Sequence, residues 1–295
     1  MVIDAHTHVY LRPAISSNPK RWVFMSVESQ IAFMDELGID KAIVLPLNNA
    51  EAPAECQSHG EMLTIRDRYP DRFILFCNID PRLPRDPRQS TVEDCLHYLE
   101  QYKEQGCHGL GELTARICWD HPLMRNLLRA CEIVGFPVTF HMTLPHTNGY
   151  GVIDDHDFAG LERALADFPD LVFLGHSPAF WRGISGGESP AGEVGYPSSP
   201  VEPGGPVLRL FHTYPNLYGD LSGGSGLTAL TRDPSHAYGF LNDFADRLVF
   251  GLDCNSPRHS TDLMPFLKAA CDNGHISRAV REKIFSGNIV RLLGL

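Results

Sequence analysis

An α/β fold of eight alternating strands and helices, the (β/α)8 or TIM barrel, is the class the sequence predicts, and three observations predict it. Eight short apolar runs, many rich in β-branched residues, recur along the 295-residue chain. Amphipathic segments with cap and stop residues lie between several of them. Residue types able to hold a metal ion close five of the eight runs.

The runs are Val2–Ile3, Lys41–Pro46 (KAIVLP), Phe73–Ile79 (FILFCNI), Gly109–Leu113 (GLGEL), Pro137–Met142 (PVTFHM), Leu171–Ser177 (LVFLGHS), Leu217–Ser222 (LYGDLS) and Arg247–Asp253 (RLVFGLD). Each is about strand length and nearly continuous in its hydrophobicity, as strands covered on both faces should be. After the first, SVESQIAFMDELG reads as a helix capped by Ser26 and stopped by Gly38. STVEDCLHYLEQYKEQG follows the third, with Ser90 or Thr91 as cap and Gly106 as stop. HPLMRNLLRACEIVG, DFAGLERALADFP and STDLMPFLKAACDNG follow the fourth, fifth and eighth in the same way. Strand then helix, repeated, gives a barrel. A doubly wound open sheet is the alternative, but no Gly-rich phosphate loop follows the first strand.

One stretch breaks the rhythm. Residues 178–206, PAFWRGISGGESPAGEVGYPSSPVEPGGP, are rich in Gly, Pro and Ser and replace most of a helix. Loops of this length are usually functional lids or disordered segments, with a domain linker as the plainer reading. Strands continue after it in the same series, so residues 1–295 are read as one barrel domain carrying a loop insertion at about 178–206.

Composition narrows the function classes. The chain is 43% hydrophobic and 21% charged, the profile of an ordinary soluble protein. Lys and Arg total 25 against 36 Asp and Glu, a net charge of −11, which disfavours nucleic acid as a partner. No apolar run approaches a membrane span, and the N-terminus has no basic region followed by a long apolar one. Eight cysteines occur without a C-x-x-C pair, several inside apolar segments. The expectation is a cytoplasmic protein with reduced thiols and a small-molecule substrate; a homo-oligomer is left open.

In a barrel, active sites form at the C-terminal ends of the strands. His6 and His8 close the first run, Glu112 the fourth, His141 the fifth, His176 the sixth and Asp253 the eighth. His6 and His8 are two apart in a strand, so they share a face. Each residue alone has an ordinary explanation: a core histidine with a satisfied hydrogen bond, or a carboxylate capping the next helix. Their coincidence on five strand ends points instead to one metal centre at one mouth of the barrel.

That order of ligands resembles the amidohydrolase superfamily. NIDPRLPRDP after the third strand, GCHGLGEL, FLGHSP, FGLDCNSP and the terminal FSGNIVRLLGL are similar to its family 2 branch, over essentially the whole chain. The resemblance implies a TIM-barrel, metal-dependent enzyme, a hydrolase of amides or lactones or a decarboxylase of aromatic or unsaturated acids. It makes His6, His8, His141 and Asp253 metal ligands. It makes His176 a second-metal ligand or a residue that polarises substrate and water. Glu112 departs from many family 2 members. GLGEL is similar to the Glu-bearing strand of TatD-like metal-dependent deoxyribonucleases, and a Glu bridge there permits two metals rather than one.

Three imidazoles and a carboxylate suit Zn²⁺, with Mn²⁺ as the alternative. Such an ion lowers the pKa of bound water from about 15.7 towards about 7. Asp253 is the expected proton carrier, and His176 the expected stabiliser of an oxyanion. Hydrolysis of an amide, lactone or related ester is the leading expectation. Metal-dependent decarboxylation is the alternative, and a deoxyribonuclease is disfavoured by the charge. Arg182 in the sixth loop and Arg258 in the eighth are the candidate substrate-binding groups, able to pair with a carboxylate or phosphate. Arg82 and Arg116 have similar positions, but each has solvent as its ordinary explanation. His59, His146 and His259 rank below the six strand-end residues.

Overall fold

The structure is a computed structural model, and it describes every residue except 13–23, 52–54, 83–85, 87, 188–195 and 257–258. Its main sheet runs in sequence order through eight parallel strands. They are β1 (Ile3–Thr7), β2 (Lys41–Val44), β3 (Phe73–Cys77), β4 (Cys107–Leu113), β5 (Val138–Thr143), β6 (Phe173–His176), β7 (Leu217–Asp220) and β8 (Leu248–Val249). The chain after β8 returns to β1. Ala5 N donates to Phe250 O and Asp253 N to His6 O, both at 2.9 Å, and Thr7 bridges Cys254. The sheet thus forms a nearly closed barrel, as the sequence predicts. A two-residue strand, Val152–Ile153, pairs outside this series with β5, and a two-stranded sheet joins Val9–Tyr10 to Met25–Ser26.

Each strand is buried because one face meets the barrel interior and the other meets helices. Ile3, Ala5, Ile43, Leu45, Ile74, Phe76, Leu174 and Val249 form an interior cluster closed by Ile289 from the C-terminal helix. A larger cluster fills the layer between strands and helices.

The caps named from the sequence hold at Ser26 and Thr91, whereas the helices that directly follow β5 and β8 start without a side-chain cap. Helix α1 (Val27–Leu37) starts at Ser26, whose hydroxyl accepts from Ser29 N, and ends at Gly38 in the left-handed region. Helix α2 (His59–Arg68), which the sequence does not announce by periodicity, is capped by Ser58. Helix α3 (Val92–Glu104) takes Thr91 as its cap, with Asp94 reciprocating. Helices α4 (Pro122–Val134) and α5 (Ala159–Asp167) follow β4 and β5. The 178–206 segment opens with a short helix α6 (Pro178–Arg182) and runs into α7 (Pro206–Thr213); its residues 188–195 lie outside the described residues.

Two helices, α8 (Gly223–Thr231) and α9 (Pro234–Asp243), follow β7 where the sequence shows no clear amphipathic pattern. The reason is close packing: a Cβ on Gly226 would stand 2.1 Å from Leu221 O, so glycine replaces a helix former there. Helix α10 (Leu263–Asp272) follows β8. No described helix is long and apolar enough to cross a membrane, and all eight cysteines are free.

Candidate metal centre

The structure brings His6, His8, Glu112, His141, His176 and Asp253 together at the C-terminal ends of β1, β4, β5, β6 and β8. Three groups of their donor atoms each lie within 4.8 Å: His6, His176 and Asp253; His6, His8 and Glu112; Glu112, His141 and His176.

Register irregularities aim two of these strands. Between Asp4 and Thr7, three residues of β1 match two of β2. Ile3 and Ala5 belong to the interior cluster, so strict alternation would turn His6 and His8 away from it. The irregularity changes the phase and sends both histidines to the mouth. Strand β4 steps unevenly against β3 and against β5 on either side of Leu110, which places Glu112 at the same mouth. The β5–β6 register sets His141 directly beside His176.

Glu112, only 3% exposed, faces both halves of the centre. Its Oε2 lies 3.3 Å from His8 Nε2 and 3.7 Å from His6 Nε2. Its Oε1 lies 2.7 Å from His141 Nδ1 and 3.9 Å from His176 Nε2. Asp253 spans the halves from the solvent side. Its Oδ1 is 3.5 Å from His8 Nε2 and 3.7 Å from His6 Nε2, and its Oδ2 is 3.7 Å from His176 Nε2. Asp253 sits at φ 53, a left-handed conformation uncommon for a residue with a side chain and held here by its bond to His6 O.

Hydrogen bonds behind the imidazoles define what they present in front. His8 Nδ1 is 2.8 Å from Leu45 O, which can only accept, so Nδ1 carries the proton. His6 Nδ1 donates to Asp220 Oδ2 at 2.6 Å. In the neutral rings both Nε2 atoms then present lone pairs, and they stand 3.2 Å apart. Two lone pairs at that distance repel unless a proton or a metal ion lies between them. The nearby oxygens of Glu112 and Asp253 complete a donor set that fits a divalent ion.

Ionisation tells the same story. Burial alone would push His6 down, yet Asp220, then Asp253 and Glu112, hold it well above the ordinary histidine value. Burial opposes the charge on Glu112, but His141, with His6 and His8, keeps it well below the usual carboxylate range. His176 is pushed down to about 4, first by burial and then by the charge of His6. The surroundings favour positive charge among these groups, which a proton on His6 or a metal ion in its place can supply, and His176 stays neutral with a lone pair free.

The sequence does not single out Asp220. It closes β7, is 1% exposed and holds His6 by its Nδ1. In the predicted run LYGDLS it stands two residues before the end, so a strand-end rule does not select it; the observed strand stops at Asp220. Asn78 was missed as well: its Nδ2 donates to Glu112 O at 2.6 Å and to Pro46 O at 2.8 Å, fixing the end of β4. Its signal, an Asn after an apolar run, is too common to select.

The arginines separate. Arg182 lines a cavity of about 520 Å³ with His141, His176, Tyr150 and Asp253, and also lines an adjoining one of about 480 Å³. Its Nη1 donates to His156 Nδ1 at 2.9 Å. Arg258 lies outside the described residues. Arg82 is taken up by Asp80 and Glu51, and Arg116 by the carbonyls of Pro145, Thr147 and Gly149, so both brace loops. Trp181 anchors α6 by donating to Asp220 O at 2.8 Å. A smaller cavity, about 160 Å³, lies on the His8 and Glu112 side, and Tyr150, Asp253 and Asn255 line both it and the larger one. Among the lesser histidines, His259 reaches the large cavity, His146 is exposed and His59 bonds Gln105 Oε1 on α3's far end.

A parallel barrel with buried histidines and carboxylates gathered at its strand ends defines the class of metal-dependent barrel enzymes. The chain belongs to the amidohydrolase family (family 2), whose model matches residues 3–295. No curated protein matches it. Solved structures share the fold at low identity. A probable 2-pyrone-4,6-dicarboxylic acid hydrolase from Acinetobacter baumannii is 15% identical with a TM-score of 0.63, covering 100% of this chain and 99% of its own. The 5-carboxyvanillate decarboxylase from Sphingomonas paucimobilis is 13% identical with a TM-score of 0.62, over 100% and 99%. An amidohydrolase from Burkholderia multivorans with bound zinc is 12% identical with a TM-score of 0.62, over 100% and 99%.

Proposed function

We propose that this chain is a metal-dependent hydrolase of a small molecule, cleaving an amide, lactone or related ester. The observation that carries the reading is Glu112, with one oxygen turned to His6 and His8 and the other to His141 and His176. That arrangement suits two ions, with Zn²⁺ first and Mn²⁺ as the alternative. His6, His8, Glu112 and Asp253 would hold one; His141, His176 and Glu112 the other.

Ions held there supply Lewis acidity and bring water into the neutral pKa range. Asp253 takes the proton from the attacking water and gives it to the leaving group. Its side chain is 21% exposed and lines both cavities, so it reaches water and substrate alike. Tyr150, Arg182 and Tyr196 line the larger cavity and orient the substrate, with Arg182 placed for a carboxylate. The same Arg182 supports the second reading, a decarboxylase of an unsaturated or aromatic acid, in which Asp253 protonates the carbon that loses CO₂. The net charge of −11 weighs against a nucleic-acid substrate.

The test is protein purified without chelator, assayed for bound metal and offered lactones, amides and aromatic acids. Hydrolysis products without CO₂ support the first reading, and CO₂ release supports the second. Absence of bound metal, with no activation by Zn²⁺ or Mn²⁺, overturns both. Asp253→Asn should lower kcat about 10²- to 10⁴-fold while the circular dichroism spectrum is unchanged.

A further inference from the structure

We propose that Asp220 is a positioning residue that joins the two halves of the metal centre, so that the two ions load as a coupled pair. The inference rests on the two-ion reading above. Asp220 Oδ2 accepts from His6 Nδ1 at 2.6 Å and lies 3.5 Å from His176 Nδ1. His6 belongs to one half and His176 to the other. Among the described residues, no other carboxylate lies within ion-pair distance of the Nδ1 atoms of two strand-end histidines.

The link has a second strand. Asp220 Oδ1 accepts from Ser222 N at 3.0 Å, and Ser222 Oγ is 2.9 Å from His176 Nδ1. Glu112 spans the halves in front of the rings, and Asp220 spans them behind. The carboxylate is buried, and its own backbone carbonyl is held by Trp181 Nε1, so it has little freedom to follow one ring and abandon the other. Filling one half fixes one imidazole, which fixes Asp220 and presents the second imidazole already aligned. A carboxylate outside the ligand set governs ring orientation and ligand basicity in this way. Asparagine cannot replace it, because it accepts through only one of its two terminal atoms.

The experiment uses the full chain stripped of metal, titrated with Zn²⁺ by calorimetry and with Co²⁺ by visible absorption, with circular dichroism as the check on folding. Wild type should take two ions in one coupled transition. Asp220→Asn should take them in two resolved steps, weakened about 10- to 100-fold, with altered Co²⁺ bands. Ser222→Ala, which leaves the carboxylate in place, should weaken the His141–His176 half most and reduce, without abolishing, its coupling to the other half. Asp220→Asn with wild-type affinity and coupling overturns the proposal. Should that variant not fold, Ser222→Ala with both halves unchanged overturns it. Wild type that binds two ions independently overturns the coupling alone, whereas wild type that binds none overturns the metal-centre reading beneath it.

Discussion

Glu112 decides how many ions the proposed centre holds. Its two oxygens face different histidine pairs, and glutamine would offer one acceptor and one donor in their place. Glu112→Gln should therefore lower the zinc content from two ions to one per chain, measured by elemental analysis on folded protein. Two ions retained would count against the bridge. His236 on α9 is half-buried, its Nδ1 has no partner among the described residues, and burial holds its pKa below 6.5, although Asp233 pulls the other way. The unfolded chain then binds more protons below about pH 6.5, so this histidine costs stability as pH falls through that window and nothing above it. His236→Gln should match wild type in urea melts at pH 8 and gain on it towards pH 5. The residue types of the centre were legible because they recur at the same place on successive strands. The roles of Arg82 and Arg116 were not, since whether a guanidinium meets a substrate or a carbonyl depends on which loop folds over it.

Elements position the centre through their irregularities more than through their regularity. Strands β1 and β4 both depart from even register, and both departures lie beside candidate ligands. Sequence periodicity cannot show a bulge, because the extra residue is defined only against a partner strand. Helix starts are different, being local, and Ser26 and Thr91 were readable as caps for that reason. Helix α5 starts differently. Phe158 at its start has φ 61 and no side-chain cap. Asp154, from the preceding turn, accepts from Gly160 N at 3.0 Å and Leu161 N at 2.7 Å instead. Gly160 permits the approach, since a Cβ there would stand 2.9 Å from Asp154 Oδ1. Asp154→Ala should cost about 1–2 kcal/mol in urea unfolding, as loss of a helix cap does. A cost near zero would mean that water replaces the carboxylate.

For the whole molecule, the proposed ions are structural as well as chemical. Groups from β1, β4, β5, β6 and the segment after β8 meet at one point, so an ion there binds the folded chain and not the unfolded one. At free metal about a hundredfold above Kd, one ion stabilises by about 2.7 kcal/mol. For a chain of this size that corresponds to a rise in Tm of several degrees, about 2–4 °C per kcal/mol. Chelation followed by a thermal melt should show the drop, and added Zn²⁺ should reverse it. Equal melting with and without chelator would argue that the centre holds no resident ion.

Strand order, the caps of α1 and α3 and the identity of most strand-end residues were determined by the sequence itself, because hydrophobic runs, caps and stops act between near neighbours. Tertiary structure alone decided that the barrel closes and that Asp220 stands behind His6. It also decided that Glu112 turns one oxygen to each histidine pair. Asp4 Oδ1 accepts from Leu252 N across 248 residues, and His6 meets Asp220 across 214. Contacts at that range follow from register and closure summed around eight strands, and no local pattern in the chain encodes their sum.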